Sequence, residues 1–228
     1  MTNIGKIIVL SGIASISQYC FAQKTSADLL KEGYRRYGVE SGIIEYTVSG
    51  IQTGKETKYF DRWGLREASI KDLETKAGGM SIPSNTTSIF DGQITYNIDR
   101  KTNSATKVNN NLLTEISAKH ETKDLTEIGE KTIKAMGAKK TGTEKYLGKQ
   151  CALWEVKSLG SRLWVYNGVT LKSMTTMGGM NVNIIGRSFE EGVKIPEAKF
   201  SLPDGVTTKE AGDPMELLKQ MKKKMKGS

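Results

Sequence analysis

The stretch LGKQCALWEV, residues 147–156, holds Cys151, the one cysteine beyond residue 20. Such a thiol could be a nucleophile, a redox group, a lipid-attachment site or a small packed residue. Nucleophilic work needs the thiolate, which a helix N-terminus or a cationic neighbour favours. Cys151 sits instead inside an alternating strand pattern, so the sequence predicts a buried, unreactive thiol. His120 is the one histidine. Its setting, SAKHETKD, reads as an exposed helix end, and a remote Cys151–His120 dyad is the alternative. The carboxylates Asp61, Glu67, Asp91 and Asp99 stand beside turns and read as solvated strand ends. The chain has no Gly-x-Ser-x-Gly elbow, phosphate loop, dinucleotide fingerprint or His-Glu-x-x-His. Histidine and cysteine are too few for a zinc site. No catalytic residue, metal or cofactor is therefore expected. Asn85-Thr86-Thr87 fits a glycosylation sequon, a motif common by chance.

The elements that carry these residues follow from periodicity. Residues 26–37, SADLLKEGYRRY, predict a short helix capped by Ser26. The period then changes to two: in GIIEYTVSGIQ, Ile44, Tyr46 and Val48 share one face. GKETKYFDRWG and REASIKDL continue as short strands. Asp91-Gly92 and Asn167-Gly168 each separate two alternating runs, as tight hairpin turns do, and Gly178-Gly179 adds a third turn. Residues 111–137 predict a helical insert of two short helices, the second with Leu125, Ile128 and Ile133 inward. On CALWEV one face carries Ala152, Trp154 and Val156, the other Cys151, Leu153 and Glu155, and LWVY is apolar on both faces. A sheet with one wet face alternates cleanly, so these strands predict cover on both sides. Two arrangements satisfy this: a curved sheet with a concave apolar space under helices, or a filled α+β core.

The two ends of the chain differ from its body. The first residues, MTNIGKIIVLSGIASISQYCFAQ, order a lysine, an apolar run and small residues as a secretory signal does. Cleavage is expected after Ala22, so residues 1–22 are read as the leader and the product as exported, into a periplasm. Lipidation at Cys20 is the alternative, but Tyr19 and Ser17 stand where such signals want small and aliphatic residues. The formal charge is +9 over 228 residues. Five lysines crowd the last fourteen residues, MELLKQMKKKMKGS. Residues 211–228 predict a basic amphipathic tail, in which Lys219, Lys222, Lys223, Lys224 and Lys226 flank Met215, Leu218, Met221 and Met225. Such a helix can lie on an anionic membrane surface, or the segment is a solvated end. The rest is only mildly basic and lacks nucleic-acid-binding signatures, so no nucleic-acid partner is expected.

The segments ETKYFDRWGLRE, YNIDR, GTEKYLGKQCALWEV, LWVYNGVTLKS and IPEAKFSLPDG together resemble a bacterial envelope family, a domain of unknown function. That family is related to the lipoprotein-localisation carriers of the LolA/LolB type. The resemblance spans most of residues 40–205 and rests on turns and strand ends. It implies an α+β fold in residues 23–210: a single, strongly curved antiparallel sheet, a half-barrel-like meander covered by short helices. It also implies a lipid-binding role. The expected function is non-catalytic binding of an acyl chain, lipid or lipoprotein in a concave sheet cavity, with Tyr46, Trp154 and Trp164 as lining residues. The alternative is an envelope interaction or structural protein with no small-molecule ligand.

Overall fold

The computed structural model describes residues 23–211 apart from 78, 110–113, 115, 116, 119, 120, 136 and 178. The leader, the lysine tail and His120 lie outside the described residues. Among the described residues, twelve strands form one open, curved sheet. They are β1 (Gly42–Gly50), β2 (Gln52–Asp61), β3 (Arg66–Ala77), β4 (Met80–Asp91), β5 (Ile94–Asp99), β6 (Ser104–Asn109), β7 (Ala138–Tyr146), β8 (Lys149–Val156), β9 (Ser161–Tyr166), β10 (Val169–Met177), β11 (Met180–Glu191) and β12 (Thr207–Glu210). Their spatial order is β12-β6-β5-β4-β3-β2-β1-β11-β10-β9-β8-β7. Two meanders thus fan out from a central pair, β1 against β11, where Ile44 faces Phe189 and Val48 faces Ile184. The expectation of a purely antiparallel sheet needs one correction: β12 joins β6 in parallel, with Thr207 opposite Ser104. The long path from β11 makes this possible, since a parallel neighbour needs a crossover and not a hairpin.

Turn chemistry sets the registers. Asn167 and Gly168 both have positive φ, 47° and 81°, between the paired Tyr166 and Val169. Both central residues of a primed two-residue turn need this geometry. The β4–β5 turn is shifted by one residue from its expected place. Asp91 pairs with Ile94, so Gly92 and Gln93 are central, and only Gly92, at φ 65°, is left-handed. Asp91 instead accepts from the Ser26 backbone N–H at 2.8 Å. The region 66–91 is not a set of short strands but one hairpin of two twelve-residue strands, with Ala77 opposite Met80.

Besides the strands, the described residues include two complete α-helices, helical residues at Thr114, Ser117 and Ala118, and three short 3-10 turns. Helix α1 (Ser26–Lys31) is shorter than expected. Thr25, not Ser26, caps it, in a reciprocal box with Asp28, and Gly33 at φ 89° follows its end. Helix α2 (Leu125–Ala135) buries Leu125 and Ile128. It lies against the sheet face that bears Trp154, Leu163 and Val165. The opposite face of the β3–β6 half is covered by residues 193–206. There Ile195 and Phe200 pack on Ala68, Ile89, Ile98 and Ala105. Arg66 anchors that cover, bonding Asp61 at 2.8 Å and Glu197 at 2.5 Å while its guanidinium lies 4.2 Å from the Phe200 ring centre.

Candidate functional site

A cavity of about 540 Å³ lies between α2 and the sheet. This is within the usual span of small-molecule pockets, about 300–1,000 Å³. Its apolar wall is Trp154 on β8 with Leu163 and Val165 on β9, faced by Leu125, Ile128 and Ile133 of α2. The sheet residues share a face because Ala152 pairs with Val165 and Trp154 with Leu163. Gly129 lines the same space, and a Cβ built there meets no atom within 4 Å. A glycine inside a helix costs roughly 0.5–1 kcal/mol relative to alanine. Gly129 is itself exposed, so it stands at the open border of this space.

Of the three aromatic residues singled out from the sequence, Trp154 lines the cavity, while Tyr46 and Trp164 share one buried cluster outside the lining. Trp154 is in the wall and 1% exposed. Tyr46 stands one residue behind it: its hydroxyl donates to the carbonyl of Thr170, itself a lining residue, at 2.7 Å. Trp164 lies between Leu163 and Val165 on β9, so strand alternation turns it to the opposite face. There it stands opposite Leu153 and Lys172 and belongs to a buried cluster with Cys151 and Leu171. The Lys172 ammonium sits 4.0 Å from its ring centre, and its Nε1 is buried without a hydrogen-bond acceptor among the described residues. Cys151 is fully buried and its Sγ lies 3.7 Å from the Lys149 carbonyl. Burial pushes the thiol above its ordinary pKa, which disfavours the thiolate.

The other end of the cavity is polar, and sequence reasoning missed it. Arg36, Tyr37 and Lys58 line it. Glu67 is not the solvated strand end it reads as in sequence: its side chain is 15% exposed. It accepts from the Tyr37 hydroxyl at 2.6 Å, pairs with Lys58 at 3.2 Å and lies 3.8 Å from Arg36. Burial alone would raise the Glu67 carboxyl, but the Lys58 and Arg36 charges outweigh it and hold the pKa below the usual glutamate range. Burial likewise opposes the Lys58 charge, while the Glu67 carboxylate beside it holds the ammonium above its ordinary value. Burial raises Tyr37 and Tyr46, so both stay protonated phenols. A signal for this cluster exists on β2: Glu56 and Lys58 share the inward parity of fully buried Phe60. Charges at core-facing strand positions are rare without partners.

The loop joining β2 to β3 holds this polar end in place. Arg62, Trp63 and Gly64 are successive left-handed residues, at φ 51°, 57° and 76°. Non-glycine residues there are strained, and the surroundings over-determine them. The Trp63 carbonyl accepts from both Arg36 and Tyr37 N–H groups at 2.9 Å, and the Trp63 N–H donates to Glu40. Arg36 Nη1 donates to the Gly64 carbonyl at 2.9 Å. A Cβ on Gly64 would come within 2.3 Å of the Tyr37 ring. The sequence DRWG thus works as a clamp that presents Arg36 and Tyr37 to the cavity.

No protein-family model matches the chain, and no curated protein matches it. Among solved structures, it is similar to an uncharacterised conserved protein from Thermus thermophilus, at 10% identity and a TM-score of 0.47, over 82% of this chain and 99% of that one. It is similar to MucB at 10% identity and a TM-score of 0.41, over 80% and 63% of the two chains. Likeness to LprF from Mycobacterium bovis covers 75% of this chain and 93% of the other, at 12% identity and a TM-score of 0.33. At such identities and TM-scores these likenesses carry no functional argument.

Proposed function

We propose that this is an exported, non-catalytic protein that holds an apolar ligand, an acyl chain or lipid, between α2 and its curved sheet. The observation that carries the reading is the cavity of about 540 Å³ walled by Trp154, Leu163, Val165, Leu125, Ile128 and Ile133. Apolar area of this kind releases roughly 25 cal/mol per Å² when a ligand covers it. The leader-like N-terminus supports export, and the envelope-family resemblance of the sequence agrees with a lipid ligand. The start of α2 is tied to the Arg35 and Arg36 carbonyls by the Leu125 N–H and the Thr126 hydroxyl, so entry requires a shift of its far end, which bears Ile133. Release then depends on a partner with higher affinity, not on a chemical step. Titration with medium-chain amphiphiles, followed by tryptophan fluorescence and native mass spectrometry, is expected to give saturable binding at one site. Absence of saturable binding by any of them, or ligand-free protein recovered from its own envelope, would sink the proposal.

A second reading, an interaction protein, is favoured by a separate observation. The exposed large hydrophobics among the described residues are Met80, Ile82, Leu159, Met174 and Met180. All belong to the hairpins β3–β4 and β10–β11 or to the β8–β9 turn. Strand direction in the alternating sheet brings these connections to one end. Backbone bonds join them into a rim: Thr176 N–H to Gly160, Ile51 N–H to Asn181, and Lys76 N–H to Ile51. Exposed apolar residues gathered along one rim offer a docking surface.

A further inference from the structure

A cavity with apolar walls alone would accept any chain of suitable length. This one is polar at one end, and its charges do not cancel. Around that end stand Arg36 and Lys58 as cations and Glu67 as the anion between them. Glu56, two residues along β2, accepts from Ser69 Oγ at 2.5 Å and is balanced by Lys71 at 3.8 Å, although its charge is also felt at Lys58. Glu130 on α2 also borders the cavity, but it is half-exposed and pairs with Lys134 at 3.6 Å. The Arg36–Lys58–Glu67 group therefore keeps one positive charge in excess at a half-buried place. Side-chain exposures of 25%, 23% and 15% make that excess costly to leave unpaired.

The donors that remain point to what would offset it. An ammonium has three N–H donors, and Lys58 meets one carboxylate oxygen, at 3.2 Å. Arg36 spends Nη1 on the Gly64 carbonyl, and its Nη2 makes a long contact of 3.4 Å with the Tyr37 hydroxyl. Charge-assisted bonds to an oxyanion are shorter and roughly twice as strong as neutral ones. An oxyanion beside Lys58 would meet both cations while its tail ran toward Trp154 and Ile133 along the apolar wall. The DRWG clamp fixes Arg36 and Tyr37 in advance, so little ordering entropy is lost on binding.

We infer that the cavity is a site for single-chain amphiphiles with an anionic head, a fatty carboxylate or an alkyl phosphate, whose head is read by Lys58 and Arg36. This rests on the cavity reading above and narrows it to one ligand class. Neutral and cationic heads are disfavoured, the first for leaving the excess charge unpaired and the second for adding to it.

The test is equilibrium binding to the intact protein of dodecanoate, dodecyl phosphate, dodecanol and dodecyltrimethylammonium, read by tryptophan fluorescence below their aggregation limits. Dodecanoate or dodecyl phosphate should bind at least about tenfold tighter than dodecanol, which is about 1.4 kcal/mol, and which of the two is tighter separates carboxylate from phosphate. Lys58→Met, which keeps the aliphatic stem, should erase that preference, while Lys58→Arg should preserve it. Wild-type protein that binds dodecanol as tightly as both anions overturns the head-group assignment and leaves the apolar cavity standing. Wild-type protein that binds none of the four overturns both. The wild-type comparison decides the matter even where Lys58→Met folds poorly.

Discussion

Cys151 shows how far a single residue can be read from its neighbours. Strand alternation placed it inside, and it is fully buried with its thiol pKa raised by burial. Cys151→Ser is expected to cost about 1–2 kcal/mol, since a hydroxyl is harder to bury than a thiol. Wild-type thiol should stay unlabelled by a thiol reagent until the protein unfolds; prompt labelling under native conditions would refute this. Gly64 is the opposite case, invisible in sequence beyond a glycine beside a tryptophan. Gly64→Ala forces a Cβ to within 2.3 Å of the Tyr37 ring at a left-handed φ. It should destabilise by at least about 1–2 kcal/mol and displace Arg36 and Tyr37. Denaturant melts check the first effect, and the loss of anionic-ligand preference checks the second. The tryptophans were only half legible. Trp154 and Trp164 both sit in runs apolar on each face, so alternation separated them without saying which side held the space. The Arg36, Lys58 and Glu67 group left only one trace in the sequence, the inward parity of Lys58 on β2: its members come from three separate segments, and only the fold brings them together.

At the level of elements, the hairpins and α2 were readable, and the insert's role was not. Asn167-Gly168 gave its turn outright, because the two positive φ values demand such residues. The strand β12 escaped notice because four residues carry no periodic signal and its parallel partner, β6, is far away along the chain. Helix α2 showed its inward face, Leu125, Ile128 and Ile133, but the place of Gly129 at the cavity border depends on where the sheet lies. Gly129→Leu adds an apolar side chain at the exposed border of the cavity, where its first added carbon meets no atom within 4 Å. The expected outcome is unchanged or raised thermal stability, from better helix propensity, together with at least a tenfold loss of dodecanoate affinity. Retained affinity would place the ligand elsewhere. Amide exchange should also be faster in α2 than in β1 or β11, and slower in α2 once ligand is added.

For the molecule as a whole, several carboxylates are held below their ordinary pKa. Side-chain bonds from Asn85 and Arg100 lower Asp72, and the bond from Arg66 lowers Glu197. Glu67 is lowered, against its burial, by Lys58 and Arg36. Groups depressed in the folded state bind protons more tightly when unfolded, so their contribution is complete above the ordinary values, 3.8 for Asp and 4.5 for Glu. It is lost as the pH falls below those values and through the lower folded ones. Stability measured by urea melts should be level from neutral pH to about 5 and fall below that, and Glu67→Gln should flatten the fall. A stability that climbs on acidification would contradict the pairing. The sheet that carries all this never closes on itself, so it has two terminal strands, β7 and β12. A bare strand invites another chain to continue it, and fibrils grow that way. On β7 the residues from Lys139 to Lys145 are exposed, three of them lysines, and its register breaks between Lys140 and Gly142. On β12 only four exposed residues are offered. The sheet therefore ends on one side in like charges that repel a second copy and on the other in a stub too short to template one.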